Sequence, residues 1–161
     1  MFERGKRETG MGMMRESVNS QVWQDAWSAS VIALMAVALG QHGDVDEGLE
    51  LMDELLRLSQ RDDVHWWEAE LHRVKGELLL MHTPDDPGNA EGCFKQAIEI
   101  ARGQGAKSLE LRAAVSLARL WQDQENRGEA CDLLAPVLEW FTEGFDTADL
   151  NDAKSLIESL S

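Results

Sequence analysis

The sequence predicts an all-α protein built as a stack of helical pairs, and three observations carry that prediction. Only Pro84, Pro87 and Pro136 interrupt the 161 residues, and alternation of β-branched with polar side chains is nowhere sustained. Apolar residues recur instead with the period of a helix. Three of these helices start at equivalent places, Asp44, Asp86 and Asn126, at steps of 42 and 40 residues. A period between about 20 and 50 residues implies a solenoid of stacked units.

The second helix of each pair is the most regular. Val45, Leu49, Met52 and Leu56 form a stripe widened by Gly48 and Leu55. The stripe returns as Ala90, Phe94, Ala97 and Ala101, and again as Ala130, Leu133, Leu134, Val137 and Leu138. Asp44, Asp86 and Asn126 each offer an N-cap oxygen three residues before Glu47, Asn89 and Glu129, and Pro87 suits a first helical position, where a missing N–H costs nothing.

The first helices are predicted over 28–40, 66–81 and 108–122. In register, Ile32, Met35, Ala36 and Leu39 correspond to His72, Lys75, Gly76 and Leu79, and then to Ala114, Leu117, Ala118 and Trp121. A mid-helix glycine costs about 1 kcal/mol relative to alanine, so Gly76 implies that a neighbouring helix approaches closely. The matching small-then-large pairs in the second helices are Gly48 with Met52, Ala90 with Phe94, and Ala130 with Leu134.

The ends read differently. Residues 8–20, with Met11, Met14 and Val18 on one side, are expected to be the second helix of an earlier repeat whose first helix is absent. Asp146 or Thr147 caps a last helix running to Leu160, apolar at Ala153, Leu156, Ile157 and Leu160 and acidic outside, as a terminal cap must be for solubility. The expected division is a half-repeat over 1–21, repeats over 22–61, 62–104 and 105–142, and a capping helix over 143–161, all one domain.

Charge restricts the partners. Thirty acidic against fifteen basic side chains leave a formal charge of −15, which repels nucleic-acid phosphates and anionic membrane surfaces. The longest apolar stretch, 31–39, falls well short of the roughly 20 residues of a membrane span, and no secretory signal opens the chain. Cys93 and Cys131 lie far apart within helical patterns and read as small core residues in a reducing compartment, so a cytoplasmic protein is expected.

The small and large positions resemble the tetratricopeptide repeat, W-x2-L-G-x2-Y followed by A-x3-F, on a period lengthened from about 34 residues. Departures are plain: no tryptophan holds the first consensus place, and Gln60, Arg102 and Thr142 stand where a closing proline belongs. Three runs, WWEAELHRVKGELLL (66–80), AKSLELRAA (106–114) and WFTEGFDT (140–147), look like the C-terminal repeat region of large bacterial proteins. Those proteins carry an adenylate or guanylate cyclase domain, or a regulator domain, ahead of a predicted ATPase. The resemblance covers about 23–160 and implies a right-handed superhelical solenoid with tetratricopeptide-like pairs. It implies a protein–protein interaction module, the sensory or regulatory arm of a signalling or transcription-regulating system, with a small-ligand-sensing accessory domain as the alternative.

Catalysis finds no motif. His65 and His72 stand seven apart without the i, i+4 pair of a helix-borne zinc site, and no metal or cofactor is expected. The run from Asp44 to Gly48 begins like a calcium loop, but Leu49 takes the place of the obligatory glycine. No phosphate-binding G-x-x-x-x-G-K-[ST] occurs, and serine, cysteine and histidine form no nucleophile signature.

Binding residues follow from the repeat register, because in tetratricopeptide stacks the first helix of each pair lines the concave face. Glu70, Arg73 and Glu77 then belong to that face in the second pair, and Arg112, Val115 and Arg119 in the third. Gathered arginines would suit an acidic peptide through bidentate hydrogen bonds, unless the acids of neighbouring helices already pair with them. The adjacent Trp66 and Trp67 point about 100° apart on a helix, so one of them is expected to meet solvent or a partner. Trp23, Trp27, Trp121 and Trp140 read as packing residues, and Met11 and Met14 suggest a homodimer through the N-terminal end.

Overall fold

The helical period of the sequence becomes six helices, with no strand among the described residues. The structure, a computed structural model, describes residues 44–62, 65–144 and 146–160. The helices are α1 (Val45–Asp62), α2 (Glu68–His82), α3 (Gly88–Gln104), α4 (Lys107–Asp123), α5 (Arg127–Glu139) and α6 (Ala148–Leu160). The expected half-repeat, the helix over 28–40, Trp23, Trp27 and the N-terminal dimer surface lie outside the described residues. No described helix is long and apolar enough to cross a membrane.

Each helix packs on the next, and two further contacts, α2 with α4 and α4 with α6, set those three side by side in one row. Helix α3 nests against α2 and α4, and α5 against α4 and α6. Neighbours on several sides explain why α4 is apolar around most of its girth: Leu111, Ala113, Ala114, Val115, Leu117, Ala118 and Leu120 are all buried.

Gly76 is where α2 and α3 meet most closely. A Cβ added there would stand 2.5 Å from Phe94 Cε1 and 2.8 Å from Cδ1, and Phe94 is fully buried. The expected stripe of α3 is buried throughout, at Ala90, Phe94, Ala97 and Ala101, and Ile98 joins it. In α5, Ala130, Leu134 and Val137 are buried while Leu133 and Leu138 stay at the edge. Ala153, Leu156 and Leu160 of α6 are buried with Leu150, and Ile157 packs at their margin.

Two stripes turn away from their expected centres. In α1 the buried line runs through Gly48, Leu51, Met52, Leu55, Leu56 and Ser59, so most of the expected stripe is buried and only Val45 and Leu49 are left partly covered. In α2 the positions of His72, Lys75 and Leu79 are only half-buried, whereas Leu71, Val74 and Leu78 reach the core. The reason is that α2 touches α1, α3 and α4, so the single face aligned on Gly76 is only the α3 side. Leu71, Val74, Leu78 and Trp67 make a separate cluster with α1.

Helix starts also differ from expectation. Asn126 holds the N-cap of α5, but its side chain makes no capping hydrogen bond, and at α3 the N-cap is Pro87, one residue after Asp86. Backbone geometry at the preceding helix end accounts for Asn126: its N–H is already drawn back to the Trp121 carbonyl at 2.8 Å. Glu125, between them, has φ 67° and donates to Gln122. Gly105 ends α3 in the same way, with φ 66°, while Ala106 N–H reaches Ala101. Both are Schellman endings, in which a left-handed residue lets two N–H groups satisfy the last carbonyls.

Trp140 is not a packing residue. It is 58% exposed where α5 ends, with Phe141 edge-on at 5.2 Å and the Lys107 ammonium 5.7 Å above its ring. Cys93 and Cys131 are free thiols at half-buried sites, and burial, foremost, pushes the Cys93 thiol up from its ordinary range.

Candidate partner-binding groove

Three helices of one row bring the predicted polar residues together. Arg73 and Glu77 from α2 and Arg112, Val115 and Arg119 from α4 line a groove of about 180 Å³. Helical spacing aligns them: Arg112 and Arg119 are seven residues apart, so they stand about two turns, roughly 10 Å, along the same side of α4. Val115 is buried between those turns, so it offers an apolar floor rather than a contact that projects.

Every arginine in the groove already has a carboxylate. Arg73 donates through Nε and Nη2 to both oxygens of Glu70, at 3.0 and 2.7 Å, and through Nη1 to Glu77. Arg112 donates through Nε to Asp149 at 3.0 Å and stands 3.4 Å from Glu70. Arg119 pairs with Asp152. Ser116 donates to Glu77 at 3.2 Å. The open electropositive strip is therefore not formed: three guanidiniums face four carboxylates, those of Glu70, Glu77, Asp149 and Asp152.

The pairs differ in depth. Arg73 and Glu70 side chains are 16% and 12% exposed, whereas Arg119 and Asp152 are 55% and 46% exposed. Burial works against the Arg73 charge, but the hydrogen bond and charge of Glu70, with the charges of Glu77 and Asp149, outweigh it and hold its pKa above the ordinary value. Arg73 is thus a fixed part of the wall, and Arg112 and Arg119 are the side chains a visitor meets.

Ser116, Asp149 and Asp152 escaped the sequence reading as site residues. Ser116 stands one turn beyond Arg112, and the two aspartates, three apart, were legible only as outward acids of the last helix. What the sequence could not supply was that α6 lies beside α4.

The tryptophan pair splits. Trp66 is 46% exposed, while Trp67, at 4%, belongs to the core against α1. Trp67 is consequently no surface contact, because α1 covers its side. Around this turn the buried Ser59 donates to Glu68 at 2.8 Å, His65 Nδ1 lies 3.0 Å from the same oxygen, and Gln104 reaches the His65 carbonyl. His72, one turn further on, has an imidazole held below its ordinary pKa chiefly by burial, with Glu68 opposing and Lys75 adding to the shift.

A buried acid holds the other side of the stack. Glu110 is 3% exposed and accepts from Arg102 Nε and Lys107 Nζ, both at 2.7 Å, joining the end of α3 to the start of α4. Burial alone would raise its pKa, but the bonds from Arg102 and Lys107 reverse the sign and hold the carboxyl below its ordinary range. Among the described residues no group of three or more histidine, cysteine or acidic side chains is arranged to hold a metal ion.

No family model matches the chain, and no solved structure matches it significantly. A relative described as "Uncharacterized protein R02095" of Rhizobium meliloti (strain 1021) is 28% identical over 89 residues. That stretch covers 55% of this chain and 9% of the relative, so the similarity reaches only a small part of a much longer protein.

Proposed function

We propose that the chain is a protein–protein interaction module with no catalysis of its own: a right-handed stack of tetratricopeptide-like pairs whose α2, α4 and α6 row receives a segment of a partner polypeptide. In this reading α2 with α3 and α4 with α5 are successive repeats, α1 closes the repeat before them, and α6 is the terminal cap. The observation that carries the reading is the groove itself, in which Arg73 and Glu77 of one pair meet Arg112 and Arg119 of the next over the apolar floor of Val115.

Its size supports a polypeptide over a metabolite. About 180 Å³ is below the roughly 300–1,000 Å³ of small-molecule sites, and it suits a few side chains of a longer segment. The likeness of the chain to a small part of a far longer protein fits an arm of a larger chain, and in this reading that arm is the regulatory or sensory one of a cytoplasmic signalling system.

A photo-crosslinking side chain placed at Ser116, within the groove, tests this function. Covalent capture of a polypeptide at 116, absent when the same side chain is placed at the exposed Lys95 outside the groove, is the expected result. A small-molecule thermal-shift hit that protects 116 from labelling, with no polypeptide captured, replaces this reading by the sensing alternative.

A further inference from the structure

We infer that the segment received by the groove is basic, carrying lysines or arginines toward α6. The inference rests on the groove being a partner site and adds the sign of the partner. Of the charged side chains that line it, Arg73 is consumed by its own helix, bonded to Glu70 and Glu77 and only 16% exposed. With Glu70 included, the three guanidiniums of Arg73, Arg112 and Arg119 stand against the four carboxylates of Glu70, Glu77, Asp149 and Asp152, an excess of one negative charge.

Valence points the same way. Asp149 bonds Arg112 through Oδ2, Asp152 bonds Arg119 through Oδ1, and Glu77 takes both Arg73 and Ser116 on Oε1. Each of these acids thus keeps a second oxygen without a protein partner among the described residues, and each is solvent-exposed, at 43%, 46% and 30%. An ammonium can bond those oxygens while every existing pair stays closed. A carboxylate must first open one, and it enters against the excess negative charge of the groove and of a chain carrying −15. Complementary potential also speeds encounter with a cationic segment and slows it with an anionic one.

Two short peptides, one of lysine and alanine and one of glutamate and alanine, measured by fluorescence anisotropy against the whole chain, decide the sign. The lysine peptide should bind, should weaken steeply with added salt, and should lose about tenfold in affinity for the double variant Asp149→Asn with Asp152→Asn. That variant leaves the stack folded by circular dichroism, since both acids are half-exposed, and it should shift preference toward the glutamate peptide. Preference of the unaltered chain for the glutamate peptide overturns the inference, as does binding of neither peptide or undiminished lysine-peptide binding by the double variant. A crosslinker at Ser116 that captures only neutral or acidic segments removes the basic sign and leaves the groove as a partner site. Failure to capture any polypeptide removes both.

Discussion

The pair α2–α3 and the pair α4–α5 use the same register with different side chains, and the differences compensate. Where α2 has Gly76, α4 has Ala118; where α3 has Phe94, α5 has Leu134, and all four are buried. A larger residue on one helix goes with a smaller one on its neighbour, which is how interiors reach uniform density. The exposed side shows an exchange of charge: Glu70 and Glu77 of α2 become Arg112 and Arg119 in α4, and Glu70 stands 3.4 Å from Arg112. Adjacent units of opposite sign at equivalent positions can stack without repulsion. At these positions the two pairs keep volume while identity varies.

The strongest way to break the comparison is Gly76→Ala. Its Cβ would overlap the fully buried Phe94 ring, 2.5 Å from Cε1, which puts the overpacking cost at or above the top of the usual range of about 1–3 kcal/mol and leaves a net loss of about 2 kcal/mol or more after the roughly 1 kcal/mol regained by removing a helical glycine. Adding Phe94→Leu reproduces the Ala118 and Leu134 combination and should restore much of the lost stability. Chemical denaturation of both single variants and the double variant measures the coupling, and additive losses would show that the two positions do not compensate.

Next in size is Glu110, more deeply buried than Glu68, its counterpart in α2, at 3% against 14% exposure. Glu110→Gln should cost about 1–3 kcal/mol, since it weakens the bonds from Arg102 and Lys107 and buries an amide in their place. Its carboxyl is held low in the folded state, so its stabilising contribution is complete above the unfolded value of about 4.3 and disappears as pH falls through the folded value. Denaturation from neutral to acid pH should show the difference between variant and parent shrinking only below that range.

The second helices were more legible in the sequence than the first, for a physical reason. Helix α3 presents essentially one face, so Ala90, Phe94, Ala97 and Ala101 line up as a single stripe. Helices α2 and α4 touch neighbours on several sides, so their burial does not follow one stripe, and Leu71 or Val115 is buried without belonging to the Gly76 or Ala118 line. The groove residues of α2 and α4 followed from the register together with the tetratricopeptide resemblance, and Asp149 and Asp152 did not, because no periodicity states which helix lies beside which. Trp140 was misjudged, and which of Trp66 and Trp67 is exposed was not legible, because at a helix end neither neighbour nor direction is set by the period.

A smaller contrast separates the two Schellman endings. Gly105 and Glu125 occupy the same left-handed conformation, with φ 66° and 67°, yet only one of them is glycine. Gly105→Ala has open space for its Cβ, so its expected loss of about 1 kcal/mol is conformational. Glu125→Gly should gain a few tenths of a kcal/mol up to about 1, the relief of strain being partly offset by the greater freedom of glycine in the unfolded chain. Opposite signs in thermal melts would confirm that the two ends are equivalent, and equal signs would separate them.

The smallest effect is expected at Arg119, the α4 counterpart of Glu77. Its pair with Asp152 is about half exposed on both sides, and exposed pairs of this kind contribute about 0–1 kcal/mol. Arg119→Ala should hardly move the denaturation midpoint, and high salt should erase what difference there is. Arg73 lies deeper, 16% exposed between Glu70 and Glu77, and its replacement leaves two acids facing one another without their shared cation. Arg73→Ala is thus a variant of the wall, and Arg119→Ala a variant of the opening. If Arg119→Ala changes peptide binding while leaving stability within about 1 kcal/mol, the groove acts at its exposed side. If it lowers stability as much as Arg73→Ala does, the arginines of α4 serve the stack as Arg73 of α2 does, and the distinction between wall and opening is gone.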